Sequence, residues 1–218
     1  TLSQTLQRAA GLGRIAKLKR AAAALQGEAR EDPEEALARF RRGLAQLWLA
    51  TQPIVSLLGD RTIAFELLLR TGEASIPHPG VFLDLAKGLG QQDALGRAVR
   101  ARAAKLAANL DEEVMLFVNV LPQDLLDSEL YDPDAPLTRH ARRIVLEVTE
   151  RAPLDAVEDL EDRVTELRRL GYRVAVDDLG AGYAGLSSLA RLDPEVAKID
   201  MTLVRAIDQD LRRDALVG

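Results

Sequence analysis

The chain has 218 residues, with 34 acidic against 29 basic residues and no cysteine. Its net charge of −5 provides no general positive field, so we expect neither a nucleic-acid polymer nor an anionic membrane surface as partner. The lack of cysteine excludes disulfides and thiolate metal sites, and it is compatible with the cytoplasmic location that we expect. No apolar run approaches the roughly 20 residues of a membrane helix, so we expect no membrane segment in this chain.

Residues 1–45 are rich in good helix formers and differ in composition from the rest. The run Asp32-Pro33-Glu34-Glu35 predicts a helix start, with an N-cap aspartate, a proline and then acids in the first turn. An apolar stripe then predicts the helix itself, through Leu37, Phe40, Leu44 and Leu47. We therefore predict a helical linker or extension over 1–45 and a domain over 46–218. The extension either transmits a signal from an upstream sensor or packs on the domain as a linker.

From residue 51 onward, short apolar runs alternate with amphipathic stretches. The candidate strands are Pro53–Leu58, Thr62–Leu69, Val114–Val120, Arg143–Glu150, Arg173–Asp177 and Glu195–Ile199. The candidate helical stretches are Val81–Leu110 (two helices), Leu154–Leu170 and Tyr183–Leu192. This alternation predicts an α/β fold of βαβ units with parallel strands. The first two runs are joined by Gly59-Asp60-Arg61, a hairpin-like connection, so we expect that opening pair to be antiparallel.

Polar residues fall at the ends of the predicted strands. Glu66 interrupts an apolar strand, and Asn119, Glu147, the pair Asp177-Asp178 and Lys198 lie at or near the carboxyl ends of four others. In a β/α barrel the active site forms at that face, from side chains that several strands contribute. The sequence therefore predicts a single site built from these residues.

These residues supply four carboxylates and one amide. The carboxylates would repel each other at one rim without a cation to neutralise them. Oxygen ligands suit Mg²⁺ or Mn²⁺, and two such ions can clamp the attacking water and the leaving oxygen of a phosphoester. Lys198 could orient the water and Arg70 could bind a phosphate oxygen. Taken singly, each residue has a structural explanation: a helix cap, a satisfied buried acid, a turn or a surface charge. One chemistry accounts for all of them together.

Six segments, in order, resemble the motifs of the EAL domain family. They are Gln52-Pro53-Ile54-Val55, Phe65-Glu66-Leu67-Leu68-Leu69-Arg70, Val118-Asn119-Val120, Leu146-Glu147-Val148-Thr149-Glu150, Asp177-Asp178-Leu179-Gly180-Ala181-Gly182-Tyr183 and Lys198-Ile199-Asp200. The second has Leu67 where the family usually has alanine. The resemblance implies a TIM-like (β/α) barrel and hydrolysis of one phosphodiester of the bacterial messenger cyclic di-GMP to linear pGpG.

The resemblance also implies roles for individual residues. The first metal would be held by Glu66, Asn119, Glu147 and Asp177, and the second by Asp178 with Asp177 as bridge. Lys198 would contact the nucleophilic water, and Glu150 would tether the loop that follows Asp178. Gln52 and Arg70 would contact the dinucleotide.

Two departures from the family pattern matter. Leu179, Ala181 and Ala184 replace a common phenylalanine and two hydroxyl residues in the loop after the aspartates. The last two barrel strands, with a glutamate and a glutamine near the site, have no counterpart in residues 1–218, so the chain is either a fragment or naturally short. We expect a homodimer or a partner chain to cover the open barrel edge.

A module that binds cyclic di-GMP or a protein without turnover is the alternative function. Another metal-dependent barrel enzyme would fit the acidic residues but not the ordered motifs.

Overall fold

The computed structural model describes residues 32–59, 61–149, 154–180 and 185–205. Contacts between Cα atoms divide the chain into two units, residues 1–38 and 39–218, which are described separately. Helix α1 (Pro33–Ala45) begins in the first unit and ends in the second. Its start confirms the predicted N-cap, because the Glu34 amide donates a hydrogen bond to Asp32 Oδ1 at 3.0 Å. Residues 1–31 of the predicted extension lie outside the described residues.

A six-stranded sheet organises the second unit, and its strands are neighbours in chain order. The strands are β1 (Leu47–Val55), β2 (Thr62–Thr71), β3 (Met115–Asn119), β4 (Ile144–Thr149), β5 (Arg173–Leu179) and β6 (Val196–Ile199). The pair β1–β2 is antiparallel and the four following pairs are parallel. The predicted α/β class and the antiparallel opening pair are thus confirmed.

Helices connect the parallel strands, as the alternating pattern predicts. They are α2 (Pro79–Gly88), α3 (Gln92–Ala107), α4 (Leu160–Leu170), α5 (Gly185–Leu192) and the short α6 (Met201–Val204), with 3₁₀ segments at Pro122–Leu126, Ser128–Tyr131, Thr138–Arg143 and Leu154–Ala156. Two helices lie within Val81–Leu110 as predicted. Within the described ranges, no helix combines the length and the apolar character that crossing a bilayer requires.

The predicted boundaries of the first strand are wrong. The strand begins at Leu47 and not at Pro53, and α1 ends at Ala45 before reaching Leu47. Leu47 and Leu49 are buried whereas Trp48 between them is 51% exposed, which is the period of a strand and not of a helix. Trp48 is therefore not a core residue.

The stretch 154–170 is also not one helix. It divides into a 3₁₀ turn at Leu154–Ala156 and α4 from Leu160, and Asp159 between them has a left-handed backbone with φ 53°. An α-helix cannot continue through a left-handed residue, so the helical stretch is interrupted at Asp159.

Strands β3, β4 and β5 are buried on both faces, as their continuous apolar runs predict. One face carries an apolar layer in which Ile54, Met115 and Val196 pack against a buried cluster of Ala64, Phe117, Val145 and Ala175. Each strand from β1 to β6 contributes to this layer. We call this layer the apolar floor, and the candidate site lies directly above it.

Candidate active site

The layer above this apolar floor is polar. On β2 to β6, one polar residue follows a member of the floor by two positions: Glu66, Asn119, Glu147, Asp177 and Lys198. Side chains two apart along a strand point to the same face, so these residues share the face of the floor. On β1, which runs in the opposite direction, Gln52 pairs with Glu66 in the β1–β2 register and lies two positions from Ile54. The polar layer therefore sits at the carboxyl ends of the parallel strands.

Lys198 stands in the middle of this layer. Its Nζ lies 2.6 Å from Glu147 Oε1, 3.1 Å from Glu66 Oε2 and 3.1 Å from Asp177 Oδ1. In a flat sheet β2 and β6 would lie about 19 Å apart, four strand spacings. A contact of 3.1 Å between their side chains requires the sheet to curl strongly around this point. The carboxylates of β2, β4 and β5 thus converge on one cation.

Glu147 is the deepest member of the site, and its side chain is 0% exposed. The 2.6 Å approach of Lys198 is an ion pair, but neither carboxylate oxygen of Glu147 receives a hydrogen bond of good geometry from the part of the chain that the structure describes. Burial raises the pKa of Glu147 to about 7, against the lowering effect of Lys198. Glu66 and Asp177 raise that pKa further, since their negative charges oppose its ionisation.

The charges of the site do not balance. Three carboxylates surround one ammonium group, which leaves two negative charges in excess when all are ionised. Burial alone would lower the pKa of Lys198, but the close contact with the Glu147 carboxylate, together with those with Glu66 and Asp177, raises that pKa above its usual value. The ammonium group therefore stays protonated at neutral pH.

The donor set fits a hard divalent cation. It consists of oxygens, it carries excess negative charge, and it includes the buried carboxylate of Glu147, which has no hydrogen bond of good geometry within the described residues. Among the described residues, however, no three acidic or histidine side chains are already gathered closely enough to hold a metal ion. The ammonium group of Lys198 lies between the carboxylates, so metal binding requires a small rearrangement around it.

Asn119, Arg70 and Gln52 are the other predicted site residues that the structure describes. Asn119 is exposed and pairs with Glu147 in the β3–β4 register. A cavity of about 300 Å³ opens beside Asn119 and Arg70, and most of its other lining residues are apolar. Arg70 Nη1 donates to Leu69 O at 2.8 Å and leaves further N–H donors of the guanidinium for a ligand. Gln52 is exposed on β1.

The backbone leaves the regular strand conformation at Asp178. Its φ is 60°, and the β5–β6 register shifts between Val176 and Leu179. Gly180 follows with φ 96°, a conformation that favours glycine, and a Cβ there would displace the Leu203 side chain, whose Cδ1 would lie at 2.1 Å. An irregularity of this kind interrupts the alternation of side chains, which lets two consecutive aspartates serve one rim.

Some predicted positions lie outside the described residues. They are Glu150, with its expected loop-tethering role, and the loop residues Ala181 and Ala184. Leu179, the first of the departures from the family pattern, is partly buried at the end of β5.

A buried ion network beside the site was not predicted from the sequence. Arg100 on α3 donates to Asp124 Oδ1 at 2.7 Å and also contacts Asp127, while the Leu121 amide donates to Asp124 Oδ2 at 2.8 Å. The network fixes the turn that begins two residues after Asn119. An arginine within the apolar face of a predicted helix was the available signal, because a buried arginine needs acidic partners.

Comparison with known proteins decides the family. The model of the EAL domain matches residues 34–218. The chain belongs to the EAL domain family. Its six-stranded sheet corresponds to part of the TIM-like barrel of EAL domains, as the sequence motifs predict.

Two relatives of this EAL chain are named as a signaling protein and as a probable cyclic di-GMP phosphodiesterase. The chain is 31% identical over 192 residues to an uncharacterized signaling protein of Caulobacter vibrioides. It is also 31% identical over 173 residues to the probable cyclic di-GMP phosphodiesterase PdeG of Escherichia coli. The two alignments cover 82% and 73% of this chain but 23% and 33% of the relatives, so the chain spans a quarter to a third of their length.

Solved EAL structures share the fold. The manganese and cyclic di-GMP complex of Klebsiella pneumoniae BlrP1 is 28% identical with a TM-score of 0.64, over 79% of this chain and 45% of that one. The cyclic di-GMP complex of the PaMucR phosphodiesterase is 26% identical with a TM-score of 0.69, over 84% of this chain and 79% of that one.

Proposed function

We propose that this EAL domain hydrolyses one phosphodiester bond of cyclic di-GMP to give linear pGpG. The observation that carries the proposal is the convergence of Glu66, Asp177 and the fully buried Glu147 on one cationic point, the ammonium group of Lys198. Such an arrangement is costly for the fold unless a cation and a substrate use it. The names of PdeG and of the BlrP1 and PaMucR complexes support the same substrate.

Mg²⁺ or Mn²⁺ is the cofactor that fits this donor set. In our proposal the first ion is held by Glu66, Asn119, Glu147 and Asp177, and the second by Asp177 and Asp178. When bound, these ions would activate a water molecule and neutralise the charge that develops on the phosphate. The irregular backbone at Asp178 supports a shared role for the two aspartates.

The remaining residues would bind and orient. Lys198 reaches the centre of the carboxylate layer, so its ammonium group can hold the attacking water against the phosphate. Arg70 lines the 300 Å³ cavity, and its guanidinium group can donate hydrogen bonds to a phosphate oxygen of the dinucleotide. Gln52 would contact the dinucleotide from β1, and Glu150 would tether the loop after Asp178.

A matched pair of variants tests this function. Turnover of cyclic di-GMP to pGpG is followed by chromatography in Mn²⁺ for the 218-residue chain and its variants. Glu66→Gln keeps the shape of the side chain and should lower turnover about 100-fold or more. Glu166→Gln removes the same charge from the exposed surface of α4 and should leave turnover unchanged. Equal turnover by the two variants would contradict the assignment of Glu66.

A binding module without turnover is the second candidate. It is favoured by Lys198, whose ammonium group already neutralises part of the acidic layer and so can support the pocket without a metal ion. A pure binding module would bind cyclic di-GMP equally well in EDTA and in Mn²⁺ and would release no pGpG. Calorimetry beside the turnover assay separates the two functions.

We also propose that a second chain covers the β6 side of the sheet. Ile199, Met201 and Val204 are apolar and exposed there, which is unusual for a surface that stays in water. Sedimentation velocity should show a dimer that Met201→Ser weakens, while Leu57→Ser at the exposed β1–β2 turn does not. A monomer at all concentrations would contradict this partner.

A further inference from the structure

A second cleft lies at the opposite ends of the strands from the candidate active site. It has a volume of about 490 Å³. Its walls come from the end of α3, from the 3₁₀ segment Thr138–Arg143 that leads into β4, and from Leu170 near the end of α4. These segments precede β3, β4 and β5, so the cleft faces away from the carboxyl ends where Asn119, Glu147 and Asp177 sit.

The cleft is basic although the chain is acidic. Arg139, His140, Arg142 and Arg143 line it, and Glu112 is the one carboxylate among its described lining residues. Within the described part of the chain, none of the three arginines forms an ion pair with a carboxylate. Positive charge is therefore concentrated in this cleft and left uncompensated.

Arg143 and Thr138 line the cleft, and each has a donor that its own recorded contacts do not use. Arg143 donates through Nε and Nη1 to the carbonyls of Val114 and Leu110, but its buried Nη2 has no hydrogen-bond partner in the described residues. Thr138 Oγ1 accepts a hydrogen bond from the Tyr172 hydroxyl at 3.0 Å, so the hydroxyl proton of Thr138 is available to another acceptor. Arg143 Nη2 is itself buried, so the donors that can reach a ligand in the cleft are those of Thr138, Arg139 and Arg142.

We propose that this cleft binds a small phosphate-bearing anion. Exposed guanidinium groups on Arg139 and Arg142 can form paired, charge-assisted hydrogen bonds with phosphate oxygens, and Thr138 can add a neutral one. The volume is in the range of small-molecule pockets. Among the described lining residues His140 is the one aromatic side chain, while three are arginines, so we expect the cleft to recognise mainly the phosphate group. This site is independent of the proposed phosphodiesterase activity.

Calorimetric titration with inorganic pyrophosphate tests the proposal. The 218-residue chain is used in EDTA at constant ionic strength, so that no metal ion bridges pyrophosphate to the acidic layer. We expect one site with a dissociation constant below about 1 mM, and amide chemical shifts should move in Thr138–Arg143 and not around Lys198. Arg139→Gln/Arg142→Gln should raise the dissociation constant at least about tenfold.

A charge-matched double variant is the control. Arg41→Gln/Lys87→Gln removes two positive charges from exposed positions outside the cleft and should change the dissociation constant by less than about twofold. Circular dichroism should give both double variants the helix content and melting temperature of the parent. The proposal is overturned if pyrophosphate does not bind, if the two double variants bind it equally, or if only vesicles containing phosphatidic acid bind, since a membrane headgroup would then be the source of the phosphate.

Discussion

Lys198 Nζ and Glu147 Oε1 lie 2.6 Å apart although their strands, β6 and β4, are separated by β5. The contact reaches across the inside of the curled sheet and joins residues 51 positions apart in the chain. Glu147 is fully buried and Lys198 is 24% exposed, so the pair is partly removed from water and screened less than a surface pair. One lysine therefore compensates the charge of the deepest acid in the candidate site.

Replacing this lysine should make the fold dependent on metal ions. In EDTA, Lys198→Met leaves three carboxylates without a cation, and we expect the free energy of unfolding to fall by about 1–3 kcal/mol. Mn²⁺ should restore that loss, because it binds the folded state and its competitor has been removed. Urea unfolding with and without Mn²⁺ measures both effects. Lys87→Met at an exposed position of α2 is the control and should lose less than about 0.5 kcal/mol under either condition.

The order of the strands and the polar positions at their ends could be predicted from the sequence, because apolar runs and their terminating residues are local patterns. The presence of Lys198 at the same site as the carboxylates was also predicted, but its direct ion pairs with Glu66, Glu147 and Asp177 were not. A lysine at the end of a strand is usually a surface residue, and only the curvature of the sheet brings it to Glu66, 132 positions earlier. Strand curvature is a property of the whole barrel and leaves no signal in a short window of sequence.

Two other structural features were not predicted from the sequence, each for a different reason. Leu47 continues the apolar spacing of α1 from Leu44, so the helix and strand periods overlap at this residue and the strand was predicted to begin too late. The pairing of Arg100 with Asp124 and Asp127 joins α3 to a 3₁₀ turn across more than twenty residues, and charge patterns predict only near neighbours on a helix.

Gly96 is required by the ion network rather than by the backbone. A Cβ at this position would lie 1.9 Å from Asp124 Oδ1 and 3.1 Å from Arg100 Nη1. Gly96→Ala should therefore displace Asp124 and lower the free energy of unfolding by about 1–3 kcal/mol, even though alanine is the better helix former. Gly88→Ala is the matched control, since a Cβ there meets nothing within 4 Å, and it should be neutral or stabilising by up to about 1 kcal/mol. Thermal or urea unfolding of both variants decides between helix propensity and packing.

Arg100 and Arg97 bind the same acid from different depths. The Arg100 side chain is 3% exposed and contacts Asp124 and Asp127, whereas that of Arg97 is 52% exposed. Arg100→Met should cost about 3–5 kcal/mol, because it leaves buried carboxylates without their cation. Arg97→Met should cost less than about 1 kcal/mol, as expected for a half-exposed pair. Similar losses measured by urea unfolding would mean that depth does not govern this network.

The same network should make stability depend on pH under acid conditions. The hydrogen bond from Arg97 lowers the pKa of Asp127 to about 2, with further help from Arg100 and against the effect of burial. Above pH 4 the carboxylate is ionised in both the folded and the unfolded chain, and its full contribution to stability is present. As pH falls toward 2 the unfolded chain takes up a proton that the folded chain does not, so this contribution, at most about 2 kcal/mol after screening, is progressively lost.

Urea unfolding at pH 5, 4 and 3 for the parent and for Asp127→Asn isolates this residue. Burial raises the pKa of the neighbouring Asp124, so this residue affects the pH dependence of stability in the opposite sense. Asp124, Arg97, Arg100 and Glu129 are present in both proteins. The stability advantage of the parent should therefore shrink as the pH falls. Asp155→Asn removes a fully exposed partner of Arg191 and should follow the parent at each pH. An advantage that stays constant from pH 5 to pH 3 would mean that Asp127 titrates alike in the folded and unfolded chain, and that the short contacts with Arg97 and Arg100 do not hold its charge.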